Sequence, residues 1–306
     1  MKNFYLITLF MCLSNLQAWA TGSSEKAVYD LIERVTPGYA SQYRLEIIPS
    51  ENGNDVYEVD GDGQKIILRG NNAVSLATAF NWYLKYTCHA HVSWFGNQLE
   101  LPEKLPQPAH KERRIINGKY RVYMNYCTVS YTAAWWNWER WQQELDYMAM
   151  NAINMPLFSV GLDGVWYNTL LRFNFTEEEA RAFLTGPGHS AWQWMQNIQS
   201  YGGPLPKSVI DKHVALGKKI LARQLELGMQ PIQQGFSGYV PRELQKKYPQ
   251  AKISMKRKWC GFDGTAQLDP TDPLFHEMGL AFLEEQDKLF GSYGAYAADP
   301  FHESAP

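Results

Sequence analysis

Cysteine is scarce in this chain, with four in 306 residues. Cys12 falls inside an N-terminal apolar run, and Cys88, Cys127 and Cys260 are widely spaced. An odd number of distant thiols excludes a disulfide scaffold, even in an oxidising compartment. Charge is also sparse, at 20% of residues, and nearly balanced, with 29 Lys and Arg against 31 Asp and Glu. That balance excludes the basic surface a nucleic-acid partner needs, and the short run Lys256, Arg257, Lys258 reads as a solvated loop. A membrane span needs about 20 consecutive apolar residues. No stretch reaches that length, so a soluble chain without a membrane partner is expected. His89 and His91 invite a zinc reading, but no Cys or carboxylate follows at ligand spacing, so no metal is expected.

Against these absences stands a clear leader. Lys2 precedes an apolar run from Phe4 to Leu13 and the small-x-small sequence Ala18, Trp19, Ala20, the layout of a secretory signal peptide over residues 1–20. Export to the periplasm or beyond follows from it. Lipid attachment at Cys12 would want small residues where Phe10 and Met11 stand. Aromatic side chains are abundant, at 14% with 11 Trp, most of them after residue 130. Such rings fill large cores or stack on sugar faces, and composition alone favours the core.

The pattern along the chain predicts two domains. A helix over residues 25–35 ends at Thr36, Pro37, Gly38; short strands follow at 43–48, 56–59 and 65–69, then a helix over 72–86. This small N-terminal α+β domain, residues 21–110, closes in the proline-bearing stretch from Leu101 to Pro108. From residue 111 to 306 strands at 120–126, 154–158, 229–234 and 295–298 alternate with helices at 138–151, between 164 and 198, at 207–227 and at 274–290. Such alternation specifies a parallel α/β sheet with crossover helices, and polar and aromatic loops after each strand suit the active face of a (β/α)8 TIM-type barrel. Four units are half of a closed barrel, so the chain is expected to be the front part of a longer protein. A doubly wound sheet is the alternative; against it, Tyr126, Cys127 and Thr128 stand where a glycine-rich phosphate loop would follow the first strand.

The segment Tyr296, Ala297, Ala298, Asp299, Pro300, Phe301, His302, Glu303 runs a small apolar strand into an acid. A carboxyl group there sits where barrel enzymes keep catalytic groups, and glycosidic cleavage needs one acid and a second carboxylate. Glu303 can be the acid; a surface or salt-bridged glutamate is the bland reading. His302 can hydrogen-bond a sugar or serve structure, and Asp299 can orient its neighbours. Strand alternation puts Tyr123, Asn125 and Cys127 on one face, so Asn125 and Cys127 are expected to point to the barrel mouth together. Cys127 reads as a wall residue rather than a nucleophile, having no His partner nearby in sequence.

These residues sit within a set of ordered motifs. Asn125-Tyr-Cys-Thr-Val-Ser-Tyr131, Trp135-Trp-Asn-Trp138, Glu144-Leu-Asp-Tyr-Met-Ala-Met-Asn-Ala-Ile-Asn154, Thr185-Gly-Pro187, Gly203-Pro-Leu-Pro206, Gly238-Tyr-Val-Pro241 and Ala298-Asp-Pro-Phe-His-Glu303 together resemble glycoside hydrolase family 89, the α-N-acetylglucosaminidases, from about Lys26 to the last residue. The resemblance implies a small N-terminal domain, a (β/α)8 barrel and cofactor-free, retaining hydrolysis of terminal α-linked N-acetylglucosamine from heparan-type or mucin-type glycans. It implies Glu303 as acid/base. It also implies that Asn125, Cys127, Tyr131, Trp192, Trp259 and His302 border the sugar pocket. Two departures stand out: Gly161 is followed by Leu162 and Asp163 where the family usually has Gln and Glu, and the family's nucleophilic glutamate lies beyond residue 306, so the chain as given is expected to be inactive alone.

Two other readings compete. An exported glycan-binding protein would hold sugar in an aromatic cleft without cleaving it, and would not need Glu303. A hydrolase using the substrate's acetamido group as nucleophile would need an adjacent acidic pair, whereas His302 precedes Glu303.

Overall fold

The structure, a computed structural model, describes residues 24–303. The expected leader lies outside the described residues. Those described divide into two compact units: 24–123 with 142–156 and 223–230, and 124–141 with 157–222 and 231–303.

The first unit opens with helix α1 over 24–35, which buries Ala27, Val28, Leu31 and Ile32 on one stripe. It stops where Thr36 turns both its N–H and its hydroxyl back to the Ile32 carbonyl, at 2.7 and 3.0 Å, just before Pro37. Strands β1 (Tyr43–Ile47), β2 (Asp55–Gly61) and β3 (Ile66–Gly70), helix α2 (Ala73–Tyr86) and strand β4 (Glu112–Ile116) follow. The sheet order is β1-β3-β2-β4, with β1 and β3 parallel and the other pairs antiparallel. Asn72 caps α2 by accepting from the Ser75 N–H at 2.9 Å. The rings of Phe80 and Tyr83 on this helix meet Tyr43 edge-on at 5.5 and 5.7 Å.

Strand β4 lies past residue 110, where the sequence reading ends the small domain. Its Glu-Arg-Arg-Ile-Ile run lacks the alternation that marks a strand. Charge ties it in instead. Register sets Glu46 opposite Arg69, Arg69 opposite Glu58 and Glu58 opposite Arg113. The resulting row of ion pairs, at 2.6, 3.4 and 2.5 Å, crosses all four strands.

From residue 122 strand and helix alternate: β5 (Val122–Tyr123), α3 (Tyr126–Tyr131), α4 (Trp138–Met150), β6 (Met155–Pro156), α5 (Leu162–Arg172), α6 (Glu177–Phe183), α7 (Ser190–Trp194) and α8 (Lys207–Glu226). Then come β7 (Gln233–Gln234), β8 (Tyr239–Val240), α9 (Leu244–Lys247), β9 (Ile253–Met255), β10 (Ala266–Leu268), α10 (Pro273–Phe290) and β11 (Tyr296–Ala297). In the first unit β5 pairs in parallel with β6, and Asp146 of α4 receives the Arg34 guanidinium through two bonds of 2.8 and 2.7 Å. In the second unit Leu157 bridges Ile232 and β7 pairs with β11, again in parallel. These are the strands of the first half of a (β/α)8 barrel, each present where expected but shorter.

The first of them ends early for a local reason. Met124 has φ 68 and turns the chain out of the extended conformation, so the expected strand over 120–126 stops at Tyr123. The alternation argument for Asn125 and Cys127 is therefore corrected: Asn125 is the N-cap of α3 and Cys127 sits in its first turn.

The second unit packs around Trp166 of α5, whose ring meets Phe183, Tyr239 and Phe282 at 5.4, 5.7 and 5.0 Å. Nearly half of the unit's aromatic side chains are buried, and the others are partly or fully exposed. Besides β4, a second feature was not legible in the sequence: between β7 and α10 the chain inserts an antiparallel sheet, β8-β10-β9. No described helix is long and apolar enough to cross a membrane.

Candidate active site

The site is built on loops of the second unit at the carboxyl ends of strands. Glu303 comes six residues after β11, with φ 50 and its carboxylate 58% exposed. The left-handed conformation is costly for a residue with a Cβ. Met124, Gln196 and Cys260, which also have positive φ, precede or follow Asn125, Asn197 and Trp259 directly; with Glu303 they are four of the nine described non-glycine residues in that conformation.

Trp259 owes its position to a tight turn. Trp259 and Phe262 exchange backbone bonds of 3.1 and 2.8 Å, and the two residues between them, Cys260 and Gly261, have φ 48 and 86. Positive φ at both centres suits the twist of a hairpin. The turn aims the Trp259 indole at the acid, and its Nε1 donates to Oε2 of Glu303 at 3.2 Å. Trp192 lies against Trp259, with ring centres 4.6 Å apart and planes tilted by 36°. Tyr131 meets Trp192 edge-on at 5.8 Å, and the His302 ring stands 5.7 Å from Trp192. Ser130 helps fix this wall: its hydroxyl accepts from the Ala191 N–H at 2.7 Å, next to Trp192.

His302 lies between two carboxylates. Its Nδ1 pairs with Oδ2 of Asp299 at 2.9 Å and its Nε2 is 3.9 Å from Oε1 of Glu303. Its carbonyl accepts from Asn197 Nδ2 at 2.7 Å. Burial raises the Cys127 thiol above its ordinary range, and the negative charge of Glu303 raises it further. A thiol held protonated is a poor nucleophile, which fits a wall residue. Burial and the charge of Asp299 push up the Tyr126 hydroxyl as well, and that hydroxyl bonds Gln234 on β7.

The structure thus brings together Cys127, Tyr131, Trp192, Trp259, His302 and Glu303. Asn125 is exposed, and its Oδ1 is turned back to accept from the Thr128 N–H and hydroxyl, both at 2.9 Å. The Gly161-Leu162-Asp163 departure lies elsewhere. Gly161 starts α5 at φ 91, and buried Asp163 bonds His213 Nδ1 at 2.7 Å. Sequence reasoning missed Ser130, Gln196, Asn197 and Lys256. Ser130 stands inside the 125–131 motif, which assigns it no role, and Gln196 and Asn197 carry polar side chains outside any motif. Lys256 corrects the solvated-loop reading: it is half-buried and reaches the Pro300 carbonyl. Among the described residues no three His, Cys, Asp or Glu gather as a metal ion would need.

A carboxyl group at the end of a parallel strand, beside an aromatic wall, is the layout of a (β/α)-barrel active face. Comparison with known proteins identifies the family. Residues 121–306 match the "Alpha-N-acetylglucosaminidase (NAGLU) tim-barrel domain" and residues 26–107 the corresponding N-terminal domain. The chain belongs to the α-N-acetylglucosaminidase family. It is 35% identical over 289 residues to human alpha-N-acetylglucosaminidase, covering 92% of this chain and 39% of the human protein. A family 89 glycoside hydrolase from Clostridium perfringens in complex with 2-acetamido-1,2-dideoxynojirmycin superposes with a TM-score of 0.91 at 33% identity, over 98% of this chain and 35% of that one. A form of the C. perfringens protein carrying two Glu-to-Gln substitutions, in complex with its substrate GlcNAc-α-1,4-galactose, gives 0.91 at 32% identity, over 99% and 35%. A family 20 exo-β-N-acetylglucosaminidase from Vibrio harveyi shares the fold at a TM-score of 0.50 and 15% identity, over 89% and 40%.

Proposed function

We propose that this chain supplies the acid/base half of a retaining exo-glycosidase that removes terminal α-linked N-acetylglucosamine from glycans of heparan or mucin type. The observation that carries the reading is Glu303 at the end of the fourth barrel strand, hydrogen-bonded by Trp259 within a chain of this family. The tilted Trp192 and Trp259 pair offers apolar faces for a sugar ring, with Tyr131, Cys127 and His302 around it. Glu303 protonates the leaving oxygen while a second carboxylate, about 5 Å away in retaining enzymes, attacks the anomeric carbon; Glu303 then takes the proton of the incoming water. Asp299 is paired with His302 and is a poor candidate for that second carboxylate. On this reading the nucleophile is a further glutamate outside these 306 residues, which alone are inactive. Export through the leader would put the enzyme where such glycans occur.

The test is release of 4-nitrophenol from its α-N-acetylglucosaminide by the intact natural gene product, comparing wild type with Glu303→Gln. A kcat that falls by about 10²- to 10⁴-fold in the variant is expected: 4-nitrophenolate departs with little help from the acid, but the second step loses the general base that takes the proton of the incoming water. A folded protein with no activity, or one indifferent to the substitution, overturns the reading and favours a sugar-binding protein.

A further inference from the structure

The loop from Asp299 to Glu303 carries a strained, half-exposed acid, so something outside the loop must hold it. Three contacts do so. Trp259 reaches the carboxylate, Asn197 Nδ2 reaches the His302 carbonyl, and Lys256 Nζ donates to the Pro300 carbonyl. Lys256 also lies 5.3 Å from the centre of the Phe301 ring and 3.4 Å from Oε1 of Gln196. It therefore grips two successive residues of the loop at once, by a hydrogen bond and by a cation–π contact. Its own backbone is anchored, its N–H donating to the Thr265 carbonyl at 2.9 Å immediately after β9. The same inserted sheet carries Trp259 three residues on. One hairpin thus supplies both the ring beside the acid and the clamp on the acid's loop. Burial pulls the Lys256 ammonium down to about 8, against the opposing charge of Asp299, which accords with a desolvated grip rather than a surface charge.

We propose that Lys256 is a positioning residue for Glu303: through the Pro300 carbonyl and the Phe301 ring it holds the carboxyl where its proton meets the departing glycosidic oxygen. The inference rests on Glu303 being the acid/base. It gives the inserted β8-β10-β9 sheet a role in the reaction beyond carrying an aromatic ring.

Leaving-group dependence tests it. A sugar alkoxide needs the acid's proton to depart, whereas 4-nitrophenolate departs with little help, so misplacing the acid slows the first far more than the second. In the intact natural gene product, Lys256→Met keeps the apolar stem and removes the donor. Its kcat/KM on GlcNAc-α-1,4-galactose is expected to fall by about 10- to 100-fold, the scale of a small misplacement, while kcat/KM on the 4-nitrophenyl glycoside stays near wild type. Lys256→Gln, which keeps a donor on a shorter stem, is expected to lose less on the disaccharide. A loss shared equally by both substrates, or no loss in either variant, overturns the proposal. Glu303→Gln in the same assay separates the two claims: if it fails to show the leaving-group split, the acid/base reading itself falls, and if it shows the split while Lys256→Met does not, only the positioning role falls.

Discussion

Trp259 donates its indole N–H to the Glu303 carboxylate across 3.2 Å, while the same ring packs on Trp192 at 4.6 Å. One side chain thus serves both the proposed acid/base and the proposed sugar wall. The two duties separate by substitution. Trp259→Phe keeps the ring contact and removes the donor. A hydrogen bond of about 1 kcal/mol then translates into a loss of roughly fivefold in kcat with little change in KM. Trp259→Ala removes the wall as well and is expected to raise KM. Steady-state kinetics on the 4-nitrophenyl glycoside check both; equal effects of the two variants on KM would contradict this division.

Asn125 is expected to respond differently to two substitutions. Its Oδ1 caps α3, which Asp can also do, whereas Ala cannot. Asn125→Ala should lower stability by about 1 kcal/mol, the usual cost of a lost cap, and Asn125→Asp should not. If the free amide nitrogen contacts sugar, both variants raise KM. Thermal unfolding read beside kinetics distinguishes helix capping from substrate contact.

The pair of Asp163 and His213 makes a pH-dependent contribution to stability. Burial alone would lower the His213 pKa, but the hydrogen bond and charge of Asp163 outweigh it, and the net shift is upward. A raised pKa in the folded state means the folded protein binds the proton more tightly than the unfolded chain. The contribution is therefore complete below about pH 6.5, the ordinary histidine value, and fades as pH rises through the higher folded value. The stability difference between wild type and His213→Gln is expected to be larger at acidic than at alkaline pH, as read by Tm across that range. A difference that grows with pH would reverse the assignment.

Gly217 lies within α8 where the helix approaches the chain after β6. A Cβ there would stand 2.4 Å from the Val160 carbonyl oxygen and 3.2 Å from a ring carbon of Phe290. Backbone cannot yield as a side-chain tip can, so Gly217→Ala is expected to destabilise despite alanine's better helix propensity. The expected cost is that of overpacking, about 1–3 kcal/mol, measured by urea unfolding.

The sequence by itself determined the alternation of elements, the boundaries of most helices and the motif that ends at Glu303. Those signals are local: apolar spacing along one helix, or residue types in short order, need no knowledge of what lies opposite. The strand lengths escaped it because Met124 turns the chain by a backbone angle that no side-chain pattern records. Strand β4 escaped it because cross-strand ion pairs hold that run, and its partners Glu51 and Glu58 are more than fifty residues away. Lys256 looked like one of three solvated cations, and only the return of residues 299–301 to the same place gave it a carbonyl and a ring to hold. Tertiary structure decided these points because each depends on partners brought together from distant parts of the chain, and a side chain's chemistry is set by the groups it meets there.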